Sequence, residues 1–274
     1  MENDVSTIFT CCASLRARSF TRMLLEVAET EIARLGLEVV RFDLDEIPHY
    51  NEDLDGENPP AIVKALRAAM SGANGLLIAT PTFNGAVPGT LKDAVDWASR
   101  PFGKAAFRNR PYGVITASTG PSAGTASAEY LRFLELLGAK LVEPMVSIGK
   151  VTHSIDAENN VTADTARRVR SVAQGVVLAA RGASVADNVA QSRFEITLNG
   201  NVAGYAEYIK RGDTLEIPHT VTDPGFRGQG IASVLVRALL LQIRADQKSV
   251  VPSCPFVADF ILEHAEFADL TATG

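Results

Sequence analysis

Cysteine and histidine are sparse in this chain, with three cysteines and four histidines among 274 residues. Cys11 and Cys12 are adjacent, Cys254 is far from both, and the histidines are scattered, so no spacing typical of a metal site occurs. Adjacent cysteines rarely form a structural disulfide, and this usage fits a reducing compartment. The sequence therefore predicts a cytoplasmic protein without a resident metal.

Long apolar runs and an excess of basic residues are also missing. No run reaches the roughly 18 apolar residues of a membrane-spanning helix, and the first residues, Met1 to Asp4, lack the basic charge of a targeting segment. The net charge is −6. Nucleic acid or an anionic membrane would require a basic face, so neither is expected as a partner. What is present is 46% hydrophobic residues, enough to support a core in one large or two modest domains.

The first part of the chain, to about Arg181, alternates short apolar runs with longer helical ones. This alternation is typical of βαβ units and a parallel sheet. Five strands are expected, the last over Leu141–Ser147 with a break at Pro144, and crossover helices between them match the flavodoxin-like order. The pattern weakens around Gly182–Gln191. We therefore predict a doubly wound, five-stranded α/β domain over residues 1–182.

Beyond residue 191 the hydrophobic period changes. Three segments alternate as antiparallel strands do: Arg193–Leu198, Val202–Lys210 and Thr214–Val221. The Asn-Gly and Arg-Gly-Asp turns between them are strong hairpin signals. An amphipathic helix over Gly230–Asp246, a short strand and a last helix follow. The pattern predicts a small α+β domain over residues 192–274 that does not repeat the first.

The first candidate site is the segment Ala13 to Ser19, between the first strand and the first helix. Hydroxyl groups, guanidinium groups and free helical N–H groups converge there, and the helix dipole favours an anion. Ser14, Arg16 and Ser19 suit a phosphomonoester, with Arg16 able to bind it bidentately. Serines and arginines at a helix start are also common caps and surface charges, so this segment alone leaves both interpretations open.

A second loop follows the apolar run Gly75 to Ala79, and a helical pattern resumes behind Pro88. This order of strand, tight loop and helix places backbone N–H groups at the carboxyl edge of a sheet, where flat or anionic cofactors bind in open α/β folds. The candidate residues of this loop are Pro81, Thr82, Phe83, Asn84 and Gly85.

Taken together, these motifs resemble the NADPH-dependent FMN reductase family of flavodoxin-like proteins. The resemblance covers roughly Ser14 to Leu141, and the segments that carry it are Ser14-Leu15-Arg16 with Ser19 and Arg22, Tyr50 to Leu54, Thr80 to Leu91, and Ala117 to Gly120. It implies that Ser14, Arg16 and Ser19 hold the FMN phosphate. It further implies that Pro81 to Gly85, together with Ser118, Thr119 and Gly120, line the isoalloxazine ring.

The same resemblance implies an activity. Hydride would pass from NADPH or NADH to FMN and then to a small-molecule acceptor such as a quinone, a free flavin, an azo compound or an oxidised metal ion. A homodimer or homotetramer is the assembly that the family implies.

Four positions depart from the family pattern. Ala13 stands where a glycine usually precedes the serine, Thr21 stands where an asparagine is usual, and Thr82-Phe83 replaces a common Glu-Tyr. A methyl group at Ala13 is expected to hinder the approach of the backbone to the phosphate and to reduce FMN affinity. Thr21 keeps a hydroxyl group that can donate to the phosphate.

A Gly-rich loop lies between a strand and a long helix near the other end of the chain. Arg227, Gly228, Gly230 and Ala232 have the Arg-x-x-Gly-x-Ala spacing that resembles the acyl-CoA loop of GNAT acetyltransferases. Successive N–H groups of this loop, which also contains Gln229 and Ile231, would wrap the pyrophosphate of coenzyme A. The resemblance implies that the backbone near Val221 meets the pantetheine arm and that Cys254 lies near the thioester.

Several roles in the second site stay open. Cys254 is either an acetyl-accepting nucleophile or a structural thiol, and Glu216 and His219 are either base candidates or solvent-facing strand residues. We favour a fusion of an FMN-dependent NAD(P)H oxidoreductase with a GNAT-like domain that binds acetyl-CoA. The alternatives are an acetyl-CoA-dependent N-acetyltransferase with a flavodoxin-like scaffold, and a non-enzymatic flavin-binding redox module.

Overall fold

A computed structural model describes residues 6–121, 129, 131–143 and 145–272 of the chain. It divides into two compact units, the first ending at Ala180 and the second beginning at Arg181. The division therefore falls directly after a helix, one residue before the segment Gly182–Gln191 where the hydrophobic pattern weakens.

The first unit contains a parallel sheet of six strands. They are β1 Thr7–Cys12, β2 Glu38–Phe42, β3 Gly75–Pro81, β4 Pro111–Ala117, β5 Lys140–Leu141 and β6 Val146–Ile148. The strand order is β2-β1-β3-β4-β5, and β6 also pairs with β4. This confirms the flavodoxin-like order. Two short strands occupy the position predicted for one interrupted fifth strand, and Pro144, the predicted break, lies outside the described residues.

Helices cover both faces of this sheet. They are α1 Phe20–Arg34, α2 Ala61–Gly72, α3 Gly89–Ala98, α4 Phe133–Leu136 and α5 Ala163–Ala180. Apolar residues of α1 and α5 form one core with one face of the sheet, and those of α2 and α3 form a second core with the other face. The pattern after Gly124 predicts a helix that continues to Leu137, but most of that segment lies outside the described residues.

Trp97 on α3 belongs to the second of these cores and is fully buried. Its Nε1 donates to the carbonyl of Pro48 at 2.8 Å, and its ring packs edge-on against Tyr50 with 4.9 Å between centroids. The carboxylate of Asp93, on the same helix, accepts from the Tyr50 nitrogen at 2.9 Å. These contacts attach Pro48 and Tyr50, in the segment after β2, to helix α3. Trp97 therefore has a packing role.

The described part of the second unit contains seven strands and two α-helices. They are β7 Ser184–Asn188, β8 Arg193–Leu198, β9 Asn201–Glu207, β10 Ile209–Arg211, β11 Thr214–Glu216, β12 Thr220–Thr222, β13 Ser249–Val251, α6 Ile231–Ala245 and α7 Pro255–Glu263. One antiparallel sheet has the order β12-β9-β8-β7, and a smaller sheet has the order β10-β11-β13.

Three details differ from the sequence expectation. The predicted strand Val202–Lys210 is divided into β9 and β10, which lie in different sheets. Residues 184–188 form strand β7, paired with β8 from Ser184↔Thr197 to Asn188↔Arg193, although we expected this segment to precede the domain. As an edge strand it has mostly exposed residues and shows no alternation. The predicted strand Thr214–Val221 is divided at Pro218, which cannot donate to a ladder, so β11 pairs with β13 whereas β12 pairs with β9.

Within the described part of the chain, no helix combines the length and the apolar character that crossing a bilayer demands. Among the same residues, no group of three or more His, Cys, Asp and Glu side chains is arranged to hold a metal ion.

Candidate functional site

Three loops of the first unit leave the sheet side by side. Strands β1, β3 and β4 are parallel neighbours, with Cys12 opposite Ala79 and Pro81 opposite Ala117. Their loops therefore meet at the carboxyl edge. The chain order reverses between β1 and β3, and such a switch point forms the crevice where ligands bind in open α/β sheets.

The first loop connects β1 to α1. The Ala13 nitrogen donates to the Ala79 carbonyl at 2.8 Å, and Ser19 caps α1 by accepting from the Arg22 nitrogen at 3.2 Å. Arg16 and Arg18 are exposed, and neither forms an ion pair or hydrogen bond with any described residue. The loop thus offers two guanidinium groups at a helix N-terminus, where partial positive charge favours an anion.

The remaining candidates of this loop are enclosed. Ser14 and Ser19 are 5% and 4% exposed, and Thr21, in the first turn of α1, is 3% exposed. Arg22 is engaged by Asp43, with 3.4 Å between the charged groups. The structure therefore leaves Arg16 as the predicted phosphate ligand that is both cationic and accessible.

Ala13 is buried and belongs to the core that α2 and α3 form with the sheet. Its methyl group packs with apolar side chains, which gives no support to the expectation that it obstructs a phosphate. We predict that Ala13→Gly leaves FMN affinity unchanged and lowers the free energy of unfolding by about 1 kcal/mol, from a lost methyl contact and greater freedom of the unfolded backbone. Flavin fluorescence titration and urea denaturation test this prediction, and tighter FMN binding in the variant would contradict it.

The second loop is a tight turn behind β3. Phe83 and Ala86 exchange two backbone hydrogen bonds of 2.9 and 3.0 Å, and φ is 53° at Asn84 and 77° at Gly85. Two successive positive φ angles define a type I′ turn, for which Asn-Gly is the favoured pair. The Thr82 nitrogen donates to the Ala117 carbonyl at 2.8 Å and fixes the base of the turn. Phe83, Asn84 and Gly85 are exposed at the crevice, with Pro81 and Thr82 half-buried.

The third loop follows β4 and is braced by β6. The Ser118 nitrogen donates to the Ile148 carbonyl at 2.9 Å, and the Ser118 hydroxyl accepts from the Gly120 nitrogen at 3.1 Å. Thr119 between them is exposed. Ser118, Thr119 and Gly120 therefore follow β4, the neighbour of the strand β3 that leads into the turn at Asn84 and Gly85.

The two thiols near the first loop are unsuited to redox chemistry. Burial raises the pKa of Cys11 far above its ordinary value, and the proximity of Cys12 adds to the effect. Burial likewise raises the pKa of Cys12, whose Sγ lies 3.8 Å from the Ser14 carbonyl oxygen. Protonated, enclosed thiols are poor nucleophiles, so these cysteines are packing residues at the end of β1.

The Gly-rich loop of the second unit precedes α6. Asp223 caps a short 3₁₀ turn by accepting from the Gly225 nitrogen at 2.8 Å, and φ is 74° at Gly228 and 83° at Gly230. Gly230 is the N-cap of α6 and no side chain caps this helix. Such a glycine-rich helix start presents backbone N–H groups to an anion.

The other loop candidates differ in exposure. Arg227 is exposed, Gln229 accepts from the Arg181 guanidinium at 3.2 Å, Ile231 is buried and Ala232 is half-buried. Val221, on β12 before the loop, is 39% exposed. Arg227 therefore has an accessible side chain, whereas the Gln229 side chain is hydrogen-bonded within the unit and Ile231 is buried.

The three candidates for acyl transfer have different surroundings. The Glu216 carboxylate accepts from Ser253 Oγ and from Arg211 Nε, each at 3.0 Å. These hydrogen bonds, that of Ser253 first, hold the pKa of Glu216 below its ordinary value, which weakens it as a base. Cys254 is buried at the start of α7 and its nitrogen donates to the Ile217 carbonyl at 2.8 Å.

His219 is exposed and lines an open surface pocket of about 370 Å³, which neither Glu216 nor Cys254 lines. Glu207 and Tyr208 line the same pocket, and sequence reasoning missed both. Only the register of β9 with β12 brings these residues together, because Glu207 stands opposite His219 when the two strands are paired. Alternation alone marks these residues as solvent-facing and does not reveal a pocket.

A parallel sheet ordered β2-β1-β3-β4-β5, with three loops meeting at its carboxyl edge, defines a flavodoxin-like α/β fold. More than half of the chain, residues 6–153, matches the family model described as NADPH-dependent FMN reductase. The chain belongs to the NADPH-dependent FMN reductase family and is an oxidoreductase of that family. Residues 193–270 match a second model, described as GCN5-related N-acetyl-transferase, consistent with the mixed α/β second unit.

Known proteins are similar over the first unit. A 2-hydroxy-1,4-benzoquinone reductase of Burkholderia sp is 33% identical over 160 residues, which cover 57% of this chain and 85% of that protein. An NAD(P)H-dependent FMN reductase of Pseudomonas aeruginosa is 33% identical over 174 residues, covering 62% and 91%. The solved structure of FerB, a flavoenzyme NAD(P)H:(acceptor) oxidoreductase of Paracoccus denitrificans, aligns with a TM-score of 0.55 at 27% identity, covering 63% and 96%.

Proposed function

We propose that the first unit binds FMN and transfers hydride from NAD(P)H to a quinone-like small molecule. Ser14, Arg16, Ser19 and Thr21 hold the phosphate, while Pro81–Gly85 and Ser118–Gly120 line the ring. The observation that carries this assignment is the meeting of three loops on adjacent strands at the switch point. Membership in the FMN reductase family and the quinone reductase names of its relatives support it.

The residues of this unit bind and orient; none is required as an acid or base. FMN, when bound, supplies a ring nitrogen that accepts hydride from nicotinamide and passes it to the acceptor. The Arg16 guanidinium, which has no partner among the described residues, offsets part of the phosphate charge. The exposed Phe83 ring offers an apolar surface for a flat nicotinamide or acceptor, and the type I′ turn holds that ring at the crevice.

We expect the purified chain to retain FMN and to show a flavin absorption spectrum that NADPH bleaches in the absence of oxygen. Adding a benzoquinone should restore the colour, because the acceptor removes the hydride. The same titration with NADH ranks the two nicotinamide donors. Protein that does not retain FMN would contradict the assignment, and protein that retains FMN without bleaching would establish a non-enzymatic flavin module instead.

A second function is favoured by the Gly-rich loop. We propose that Arg227–Ala232 binds the pyrophosphate of acetyl-CoA, with Val221 beside the pantetheine arm, and that the module spans Arg181 to the end of the described residues. The match of residues 193–270 to an acetyltransferase model supports this. Calorimetric titration with acetyl-CoA, repeated on Arg227→Ala, tests the proposal. Colourless protein that binds acetyl-CoA would favour an acyltransferase with a flavodoxin-like scaffold.

We further propose a cytoplasmic protein that assembles as a homodimer or homotetramer. Sedimentation of the FMN-loaded chain measures the assembly, and a monomer at micromolar concentration would contradict it.

A further inference from the structure

One hydroxyl group of the second unit is buried without a hydrogen-bond partner. Thr220 Oγ1, on β12, is closed off from solvent, and no described residue forms a hydrogen bond with it. Buried polar groups nearly always have a partner, and a hydroxyl without one costs free energy. Arg100 Nε in the first unit is similarly buried, but it lies 3.5 Å from Asp55 Oδ2 in an ion pair. The Thr220 hydroxyl has no such compensation among the described residues.

The Thr220 side chain lies on the sheet face that α6 covers. Thr220 stands opposite Ala206 in the antiparallel pair of β12 with β9, and opposed residues carry their side chains on one face. Gly204 shares that face with Ala206, and a Cβ at Gly204 would stand 3.0 Å from Ile231 of α6. The hydroxyl is therefore on the opposite face from the exposed side chain of His219.

The strand that carries this hydroxyl has a free edge. Among the described strands, β12 pairs with β9 alone. His219 and Asp223 each make a backbone hydrogen bond of 3.0 Å to β9. In an antiparallel ladder, such residues alternate with residues whose N–H and C=O groups point away from the partner strand. Thr220 and Thr222 therefore direct their backbone donors and acceptors to the unpaired edge of β12.

The free edge begins where two strands diverge. The Ile217 carbonyl accepts from the Cys254 nitrogen at 2.8 Å, just before Pro218. Beyond Pro218, β12 continues along β9, whereas the chain after Cys254 enters α7. Thr220 thus lies between this divergence and the Gly-rich loop that follows β12. A linear ligand held at the loop by its phosphates passes Thr220 when it lies along the free edge.

The pantetheine arm of acetyl-CoA has the chemistry that this edge and hydroxyl can bind. The arm is an extended chain with two amides, each with one N–H donor and one carbonyl acceptor. A threonine hydroxyl can donate to such a carbonyl or accept from such an N–H. Of the two threonines along the edge, Thr220 is the farther from the Gly-rich loop, so it would meet the amide nearer the thioester.

We propose that Thr220 Oγ1 is a ligand of the pantetheine arm and forms a hydrogen bond with the amide nearer the thioester. Acetyl-CoA then satisfies a hydroxyl that the free protein leaves without a partner. This inference rests on the acetyl-CoA function proposed above, and it adds a side chain that recognises the arm rather than the pyrophosphate.

Thr220→Val keeps the shape of the side chain and removes the hydroxyl, with opposite effects on the free and the bound protein. The free protein loses a buried group without a partner, so the urea midpoint measured by circular dichroism should shift to higher urea. In the complex an amide of the arm loses its partner, so the Kd for acetyl-CoA should rise about tenfold. Thr220→Ser keeps the hydroxyl and should retain the wild-type affinity.

The test is calorimetric titration of the full FMN-loaded chain with acetyl-CoA and with 3′-phospho-ADP, which is the nucleotide portion of coenzyme A without the arm. Thr220→Val should weaken binding of acetyl-CoA and leave binding of 3′-phospho-ADP unchanged. Arg227→Ala, at the proposed pyrophosphate loop, should weaken binding of both ligands. This contrast separates recognition of the arm from recognition of the nucleotide.

Three results for Thr220→Val would overturn the inference while acetyl-CoA binding by the loop stands. They are an unchanged affinity for acetyl-CoA, an equal loss for both ligands, and unfolding of the free variant at lower urea than the wild type. A wild-type chain that binds 3′-phospho-ADP as tightly as acetyl-CoA would also overturn it, because the arm would then contribute nothing. A wild-type chain that binds neither ligand would remove the proposed acetyl-CoA function and this inference with it.

Discussion

Arg16→Ala is expected to weaken FMN binding roughly ten- to hundredfold. Arg16 is exposed beside the N-terminus of α1 and has no carboxylate partner among the residues that the structure describes. A hydrogen bond to a charged group contributes about 1.5–3 kcal/mol, and a bidentate guanidinium–phosphate pair lies at the upper end of that range. Fluorescence titration of the apoprotein with FMN measures the change.

Arg18→Ala is the matched control for this substitution. Arg18 lies two residues further along the same loop, is equally exposed and is also unpaired within the described part of the chain. The substitution Arg18→Ala removes the same charge without removing the proposed ligand. We therefore expect FMN affinity to change by less than about threefold. Equal losses in the two variants would reduce the role of Arg16 to general electrostatics. Unchanged affinity in Arg16→Ala would reject the phosphate assignment.

Gly204→Ala is expected to destabilise the second unit by about 1–3 kcal/mol, the usual cost of overpacking. A Cβ at Gly204 would stand 2.7 Å from the backbone oxygen of Val221 and 3.0 Å from Ile231 Cγ2. The nearest atom belongs to a paired strand and cannot rotate away, so β12 must shift from β9. Because Val221 is proposed to meet the pantetheine arm, acetyl-CoA affinity should fall as well, while FMN affinity stays unchanged.

The two units can be monitored separately during urea denaturation. Trp97 is the one tryptophan of the sequence and is buried in the first unit. Its fluorescence in the apoprotein therefore reports that unit, whereas circular dichroism reports both. Gly204→Ala should shift the dichroism transition and leave the fluorescence transition in place. If the fluorescence midpoint shifts together with the dichroism midpoint, the steric clash at Gly204 is not confined to the second unit and the prediction is wrong.

Two further glycines provide controls. A Cβ at Gly113 on β4 would stand 2.6 Å from Val176 Cγ2 and 2.8 Å from Val172 Cγ1 of α5, so Gly113→Ala should shift the fluorescence transition instead. A Cβ at Gly72 has no neighbouring atom within 4 Å, and Gly72→Ala should leave both transitions unchanged or slightly stabilised. A Gly72→Ala variant as unstable as Gly204→Ala would show that the effect does not come from the close approach.

Patterns within a few residues proved sufficient for much of the first unit. The apolar run that begins at Gly75 predicts β3 at its observed position, and the strand order is confirmed. Asn84-Gly85 predicts a tight turn because both residues tolerate positive φ, and the structure has both in that conformation. The proposed ligands of FMN stay predictions of site roles, although their loops lie on adjacent strands.

The second unit depended more on contacts between distant residues. Strand β7 carries no alternation because it lies at a sheet edge, and only its pairing with β8 identifies it. Glu216 reads as a base candidate from its position on a strand, yet Arg211 and Ser253 engage it in the folded chain.

The sequence by itself determined the family and the alternation of strands and helices. It also determined where along the chain the loop at Asn84-Gly85 and the loop at Gly228 and Gly230 occur. These depend on hydrophobic period and on backbone preferences of neighbouring residues, which are local properties. Only the tertiary structure decided that Ala13 packs into a core, that Glu207 and His219 line one pocket, and that Gly204 lies against the backbone of Val221. Each of these is set by strand register and packing between segments far apart in sequence, which local patterns do not encode.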